Sequence, residues 1–397
     1  MDSDKYLLPG EIFAIQDELN SESFFFTSDE DINKKYKKGE IRIITEQARY
    51  PLDSITNLLG SKKYILDPEY QRRKRWDNGR KSRLIESFIM NVPIPPIFLY
   101  EIDYSLYEVM DGLQRLTSIS DFYEGNFFLE GLEYWKELNG RTYEQLPEQV
   151  RKGIDRRYLS SIILLQETAK TDQEAEHLKK IVFERLNSGG EKLTRQETRN
   201  ALINGKFNQL CIELSENRNF REMWKLSLEK DEFVNDDDYK TMADVELVLR
   251  FFAYRHIDKM RSSVDSFLDS YLKQANNYSE AVLEDLRNLF VNTIECIYLV
   301  LGESAFYLPR TNRQYKSPSK TVYDAMMQAF ARNIEHSHIF IENGKEIKEK
   351  LYYDKKRIAA IRGDNVPLFD ARYTNRGDVQ KRVAYFHDFL QDYVSKV

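Results

Sequence analysis

The decapeptide VMDGLQRLTS, residues 109–118, crowds Asp111, Gln114, Arg115, Thr117 and Ser118 around a single glycine. An apolar, strand-like run stops at Asp111-Gly112, and beyond it Leu113, Leu116, Ile119 and Phe122 recur three apart, the spacing of one helix face. A strand–glycine–helix turn is a seat for phosphate, because unpaired amides and a partial positive charge open the helix and glycine lets the anion approach. Arg115 would add a forked pair of charged hydrogen bonds, and Thr117 and Ser118 would add two hydroxyls. Asp111 would cap the helix, or hold a ribose hydroxyl or a hydrated Mg²⁺. A plain structural helix with an Asp cap explains the same ten residues without any ligand.

Two further segments carry the same excess of polar donors. PEYQRRKRW (68–76) holds Gln71, Arg72, Arg73, Lys74 and Arg75, and FERLNSGGEKL (183–193) holds Arg185 and Asn187. Gln71 and Arg72 end an extended segment and Arg185 and Asn187 end a helix, so all four are expected to converge with the Asp-Gly turn on one ligand. For the RRKR run, a solvated basic face is the competing explanation.

The elements that must position these groups follow from periodicity and turn chemistry. A strand near ARYP, a short helix from about Asp53 and an extended stretch to Pro68 precede a helix with Leu84, Ile85, Phe88 and Ile89 at helical spacing. Pro93, Pro95 and Pro96 end that helix, and 97–102 with 106–110 form a hairpin. A second hairpin-like pair is expected over NFFLEGLEYW (126–135), then a helix over YEQLPEQVRKGIDRR, a strand over 158–167 and a helix over 172–187. Thr194-Arg195-Gln196-Glu197 has the capping-box spacing of a new helix. Beyond about 205 long helical patterns dominate, and the acidic run 229–246 reads as a solvated loop between helices. The fold class is therefore α+β at the N-terminal side followed by a mainly α-helical domain. The expected divisions are an acidic arm (1–39), a ligand-binding domain (40–205) and a helical domain (206–397).

Composition bounds the partners. The 397 residues are 41% hydrophobic and 31% charged, the balance of a folded protein with more than one domain. No long apolar run suits a membrane, and the N-terminus lacks the pattern of a secretion signal, so a cytoplasmic protein is expected. Cys211 and Cys296 are far apart in sequence and are expected to be buried rather than bridged or metal-bound. The net charge of −6 is unevenly spread. Residues 1–35 carry nine acidic groups against three lysines, whereas 62–85 carry nine basic against three acidic, and 309–320 adds Arg310, Arg313, Lys316 and Lys320 with no acid. Two basic segments are suited to lining a groove for DNA. The five histidines show no metal-ligand spacing, and neither a P-loop nor a nucleophile elbow is present, so no metal site is assigned.

Taken together, Pro68-x-Tyr70-Gln71-Arg72 with Trp76, LIESFIMNVPIPPIFLYE (84–101), Asp111-Gly112-Leu113-Gln114-Arg115-Leu116-Thr117 and Phe183 through Leu193 resemble the N-terminal domain family of GmrSD-type restriction endonucleases, a branch of the ParB and sulfiredoxin-like superfamily. The resemblance covers about residues 40–205. It implies an α+β, ParB-like domain that binds and often hydrolyses a nucleoside triphosphate, with Mg²⁺ as a candidate companion, and that couples nucleotide state to DNA recognition in defence against phage. It places Asp111, Gly112, Gln114 and Arg115 in the phosphate turn, with Asp111, Gln114 and Arg115 as catalytic candidates and Gln71, Arg72 and Asn187 nearby. Leu113 stands where the family motif has a glutamine, which makes hydrolysis less secure than binding. No HNH nuclease cluster of the kind many relatives carry is present, so a nuclease or other defence partner, or a homo-oligomer, is a candidate assembly. The alternatives are a DNA-binding module that uses no nucleotide, and a cryptic nuclease drawing on the lysines and carboxylates of KEIKEKLYYDKK (345–356).

Overall fold

The computed structural model describes residues 6–14, 28–38, 43–66, 76–165, 167, 171–186, 194–308, 317–360, 368–372 and 374–395. Its chain divides into two compact units, residues 19–193 and residues 1–18 together with 194–397. The expected segments Gln71–Arg75, Asn187 and 310–316 lie outside the described residues.

The first unit runs α1 (Asp29–Lys38), β1 (Thr45–Pro51), α2 (Ile55–Gly60), β2 (Tyr64–Ile65), α3 (Asn78–Met90), β3 (Ile97–Asp103), β4 (Leu106–Asp111), α4 (Leu113–Tyr123), α5 (Glu148–Asp155), β5 (Tyr158–Leu164) and α6 (Asp172–Leu186). The strands form one mixed sheet in the order β1-β5-β3-β4-β2, with β3 and β4 the expected antiparallel hairpin. Side chains alternate across a strand. Ile97, Leu99, Val109, Leu159 and Ile163 therefore share one face and pack with Leu84, Ile85, Phe88, Leu116, Ile119 and Phe122 of the helices in a single apolar cluster. Glu108, one residue before Val109, points to the opposite face and pairs with Lys179 of α6 at 2.5 Å. The sheet curls enough for its two edge strands to meet, the Tyr64 hydroxyl donating to the Tyr50 hydroxyl at 3.1 Å.

Helix ends follow local chemistry. Asp77 caps α3 by accepting from the Arg80 amide, and Asn91 closes it in the left-handed region at φ 58. The expected hairpin over 126–135 does not form. Its backbone donors are taken elsewhere: the amides of Glu133, Tyr134 and Trp135 all donate to the buried Glu86 carboxylate, at 3.2, 2.8 and 2.9 Å. A side chain from α3 thus replaces the partner strand.

The second unit is helical: α7 (Arg195–Leu202), α8 (Lys206–Leu214), α9 (Arg218–Trp224), α10 (Asp237–Lys240), α11 (Ala243–Ala253), α12 (Val264–Ala275), α13 (Glu280–Leu301), α14 (Lys320–Ala331), α15 (Ser337–Glu342), α16 (Gly344–Ala360) and α17 (Arg376–Val394). The capping box at Thr194 and Glu197 is present, and the helix it opens belongs to this unit. Residues 6–14 also belong here, not to a separate acidic arm. The acidic run 229–246 is solvated only in part: Asp237 and Asp238 are exposed, but Asp236 and Asp244 are not. Asp236 and the fully buried Asp244 face the fully buried Arg221 at 2.7 and 3.6 Å, and the Arg221 guanidinium stacks 3.4 Å from the Phe233 ring centroid. Charge pairing drew these aspartates inward.

Both cysteines are free and buried, and burial pushes the Cys296 thiol up to about 12. No described helix is long and apolar enough to cross a membrane.

Candidate functional site

The β4–α4 turn is built on Gly112. Its φ of 98 is a backbone conformation that disfavours any side chain, and a Cβ there would lie 2.4 Å from Cγ2 of Ile97. Gly112 is the N-cap of α4 and no side chain caps the helix, which corrects the expectation that Asp111 would do so. Leu113, Leu116 and Ile119 turn into the core as their spacing requires. This leaves Gln114 and Arg115 on the opposite side of the first turn.

Asp111 is the last residue of β4 and meets Arg115 one helical turn on, at 2.6 Å between Oδ2 and Nη2. Arg115 Nη1 donates to the Pro95 carbonyl at 2.8 Å. The guanidinium is thus held by two acceptors of its own chain, and its side chain is 12% exposed, against 47% for Asp111. Asp111 Oδ1 makes no hydrogen bond to a described residue. The product is a carboxylate with one oxygen held by Arg115 and about half of its side chain exposed.

The hydroxyls behave differently from expectation. Thr117 Oγ1 donates to the Leu113 carbonyl at 3.0 Å, and Ser118 Oγ donates to the Gln114 carbonyl at 2.6 Å. Both are spent inside the helix, the usual habit of mid-helix Ser and Thr. Ser118 is fully buried, so its assignment as a ligand-facing donor is corrected.

Gln114 reaches another of the singled-out segments. Its Oε1 accepts from the Trp76 amide at 3.2 Å, which fixes the last residue of PEYQRRKRW at the turn. Arg80 stacks over the Trp76 ring at 4.9 Å, a contact that carried no sequence signal beyond the Asp77-Asn78-Gly79 helix start. Lys81 pairs with Asp121 at 2.7 Å. The turn therefore gathers Trp76, Asp111, Gln114 and Arg115. Arg185 is an exposed residue in the last turn of α6. Lys320 opens α14 in the helical unit, where its ammonium lies 3.6 Å from Glu246.

Two of the five histidines are tied into the protein, and His177 and His338 are exposed. His256 Nε2 is 3.2 Å from Glu11, and His387 Nδ1 is 2.9 Å from the Asn333 amide. Among the described residues no three His, Cys, Asp or Glu side chains stand close enough to hold a metal together. The KEIKEK helix buries Ile347, Leu351 and Lys355, and Glu346 pairs with Lys350, as an amphipathic surface helix does.

Chemically, a fixed and half-exposed carboxylate beside an uncapped helix start can accept from a ribose hydroxyl or join the shell of a hydrated cation that carries phosphate. Residues 55–204 match the family GmrSD restriction endonuclease, N-terminal domain. No curated protein and no solved structure matches the chain.

Proposed function

We propose, from the match of residues 55–204 to the GmrSD restriction endonuclease N-terminal domain family, that the protein is a DNA-interacting component of a prokaryotic restriction or anti-phage defence system whose N-terminal unit binds a nucleoside triphosphate at the β4–α4 turn. The observation that carries this reading is Asp111, held by Arg115 through one oxygen with its side chain still 47% exposed. In this scheme Arg115 is a positioning residue in the resting protein. Asp111 holds the ligand through a ribose hydroxyl or Mg²⁺, and Gln114 keeps Trp76 in place beside it. Leu113 faces the core, so an amide at that position would not reach a ligand without rearrangement. Binding is accordingly better supported than hydrolysis.

Calorimetry with the four ribonucleoside triphosphates and Mg²⁺ tests this. Saturable binding of at least one, lost in Asp111→Asn, is the expected result, and a folded protein that binds none of the four defeats the nucleotide reading. The engagement of the Arg115 donors by Asp111 and the Pro95 carbonyl favours one second reading, in which the domain grips DNA with no nucleotide. Its mark is DNA affinity that is indifferent to nucleotide and falls steeply with salt. The slope would then shrink by roughly one unit for each phosphate-contacting arginine removed from 72–75.

A further inference from the structure

Residues 6–14 interact with the helical unit as a ligand does. Between Tyr6 and Ala14 one backbone hydrogen bond is internal, from the Glu11 amide to the Leu8 carbonyl. Glu11 Oε2 also accepts from the Leu8 amide at 3.0 Å. Groove side chains meet backbone groups of Tyr6, Ile12, Phe13 and Ala14. Gln274 reads Ala14 on both sides, accepting from its amide at 3.0 Å and donating to its carbonyl at 2.5 Å. Tyr278 donates to the Ile12 carbonyl at 2.9 Å, Lys259 to that of Phe13 at 3.1 Å, and Arg255 to that of Tyr6 at 2.7 Å. Side chains that satisfy an extended backbone are the grammar of peptide recognition.

Three positions supply selectivity. Glu11 is fully enclosed and takes both Nε and Nη2 of Arg255 at 2.8 Å, with His256 at 3.2 Å. Phe13 fills an aromatic box of His256, Phe267 and Tyr271, with ring centroids 5.5 to 5.6 Å away. Gly10 sits at φ 83 where a Cβ would come within 2.9 Å of Val282. Ile12, between the two anchors, is 71% exposed and unread.

We propose that the helical unit contains a peptide-reading groove specific for a Gly-Glu-x-Phe segment, and that residues 6–14 are its detachable occupant, a strap bound in cis. Residues 6–14 belong to the helical unit and precede the other unit, residues 19–193, in sequence, so release of the strap would detach the chain's first described segment from the unit that holds it. The groove is thereby a device that a competing peptide of the same pattern would switch. The inference does not depend on nucleotide binding.

The test keeps the full chain and places a protease site within residues 15–27. After cutting, a labelled peptide of residues 5–15, KYLLPGEIFAI, is expected to exchange into the groove saturably while circular dichroism is unchanged. Peptides with Glu11→Ala or Phe13→Ala should bind roughly tenfold or more weakly. The uncut chain should bind labelled peptide far more weakly than the cut one, because its own strap competes at high effective concentration. Unfolding on cutting, failure to exchange, or equal affinity of the Glu11→Ala peptide would each overturn the proposal. An uncut, folded Phe13→Ala chain gives an independent arm: it should gain binding of the labelled wild-type peptide, and no gain would also overturn it.

Discussion

Two Arg–carboxylate pairs, one in each unit, have the same chemistry and different fates. Asp111–Arg115 spans four residues, and its acid is half in water. Glu11–Arg255 joins residues 244 apart, with side chains 0% and 3% exposed. Burial opposes the charge on Glu11, yet the hydrogen bonds of His256 and Arg255 and the charge of Arg255 together hold its carboxyl at about 2. In the helical unit acids are consumed by folding, as Asp236, Asp244 and Asp324 also show. In the N-terminal unit Asp111 stays half exposed. A charge that folding does not need is one that a ligand can use.

The strongest way to break this contrast is to remove a buried cation. Arg221→Leu would leave Asp244, 0% exposed, facing an apolar group, would take the charged partner from Asp236, which keeps its two Ser227 donors, and would remove the guanidinium donor of the Ser227 carbonyl. A loss of about 3–5 kcal/mol is expected, the usual cost of an uncompensated buried charge. Denaturant unfolding monitored at the tryptophans measures it, and a loss under about 1 kcal/mol would mean that the network relaxes or hydrates freely. Next in size is Gly112→Ala, where a left-handed backbone and a 2.4 Å approach to Ile97 combine. About 2–4 kcal/mol is expected from strain plus overpacking. Gly125→Ala is its control: φ is 74 but nothing lies within 4 Å of the new Cβ, so about 1 kcal/mol should be lost. Equal losses at the two glycines would show that packing against Ile97 contributes nothing.

Acid provides a third, titratable comparison. The Glu11 carboxyl is depressed from 4.5 to about 2 in the folded protein, so its contribution is fully present above 4.5 and is lost as pH falls from there towards 2. The melting temperature of wild type should drop more steeply through that window than that of Glu11→Gln, which already lacks the charge. Parallel curves for the two proteins would show that Glu11 does not titrate in the window.

These features differ in how well the sequence announces them. The Asp77 cap, the Thr194–Glu197 box, the β3–β4 hairpin and the strand–glycine–helix turn were legible because each depends on residues within a few positions of one another. The 126–135 segment misled because its β-rich composition is overruled by Glu86, some 47 residues earlier in the chain. Asp244 fell within the acidic run read as a solvated loop, since its burial against Arg221 depends on helices that meet only after folding. At the site, Gly112 and the Asp111–Arg115 spacing were readable. The destination of Arg115, the Pro95 carbonyl, was not, because proline was read as a helix stop and not as an acceptor. The hydroxyls of Thr117 and Ser118 were over-read: residue type shows a donor, but only geometry shows that the helix has already claimed it.

The smallest expected change in stability belongs to the exposed pair, and it discriminates most sharply between roles. Asp111→Asn removes a half-exposed partner and should cost no more than about 1 kcal/mol of folding free energy. If Asp111 is the group that meets the ligand, the same substitution weakens nucleotide binding by about 1.5–3 kcal/mol, the worth of a hydrogen bond to a charged group. Arg115→Ala would then also weaken binding, by releasing Asp111, and Arg115→Lys would fail to restore it, because an ammonium cannot span Asp111 and the Pro95 carbonyl as the fork does. The reverse pattern has a different meaning. Should Asp111→Asn bind nucleotide as wild type does while Arg115→Ala does not, the guanidinium leaves its resting partners to take phosphate directly, and Asp111 serves only to park it between ligands.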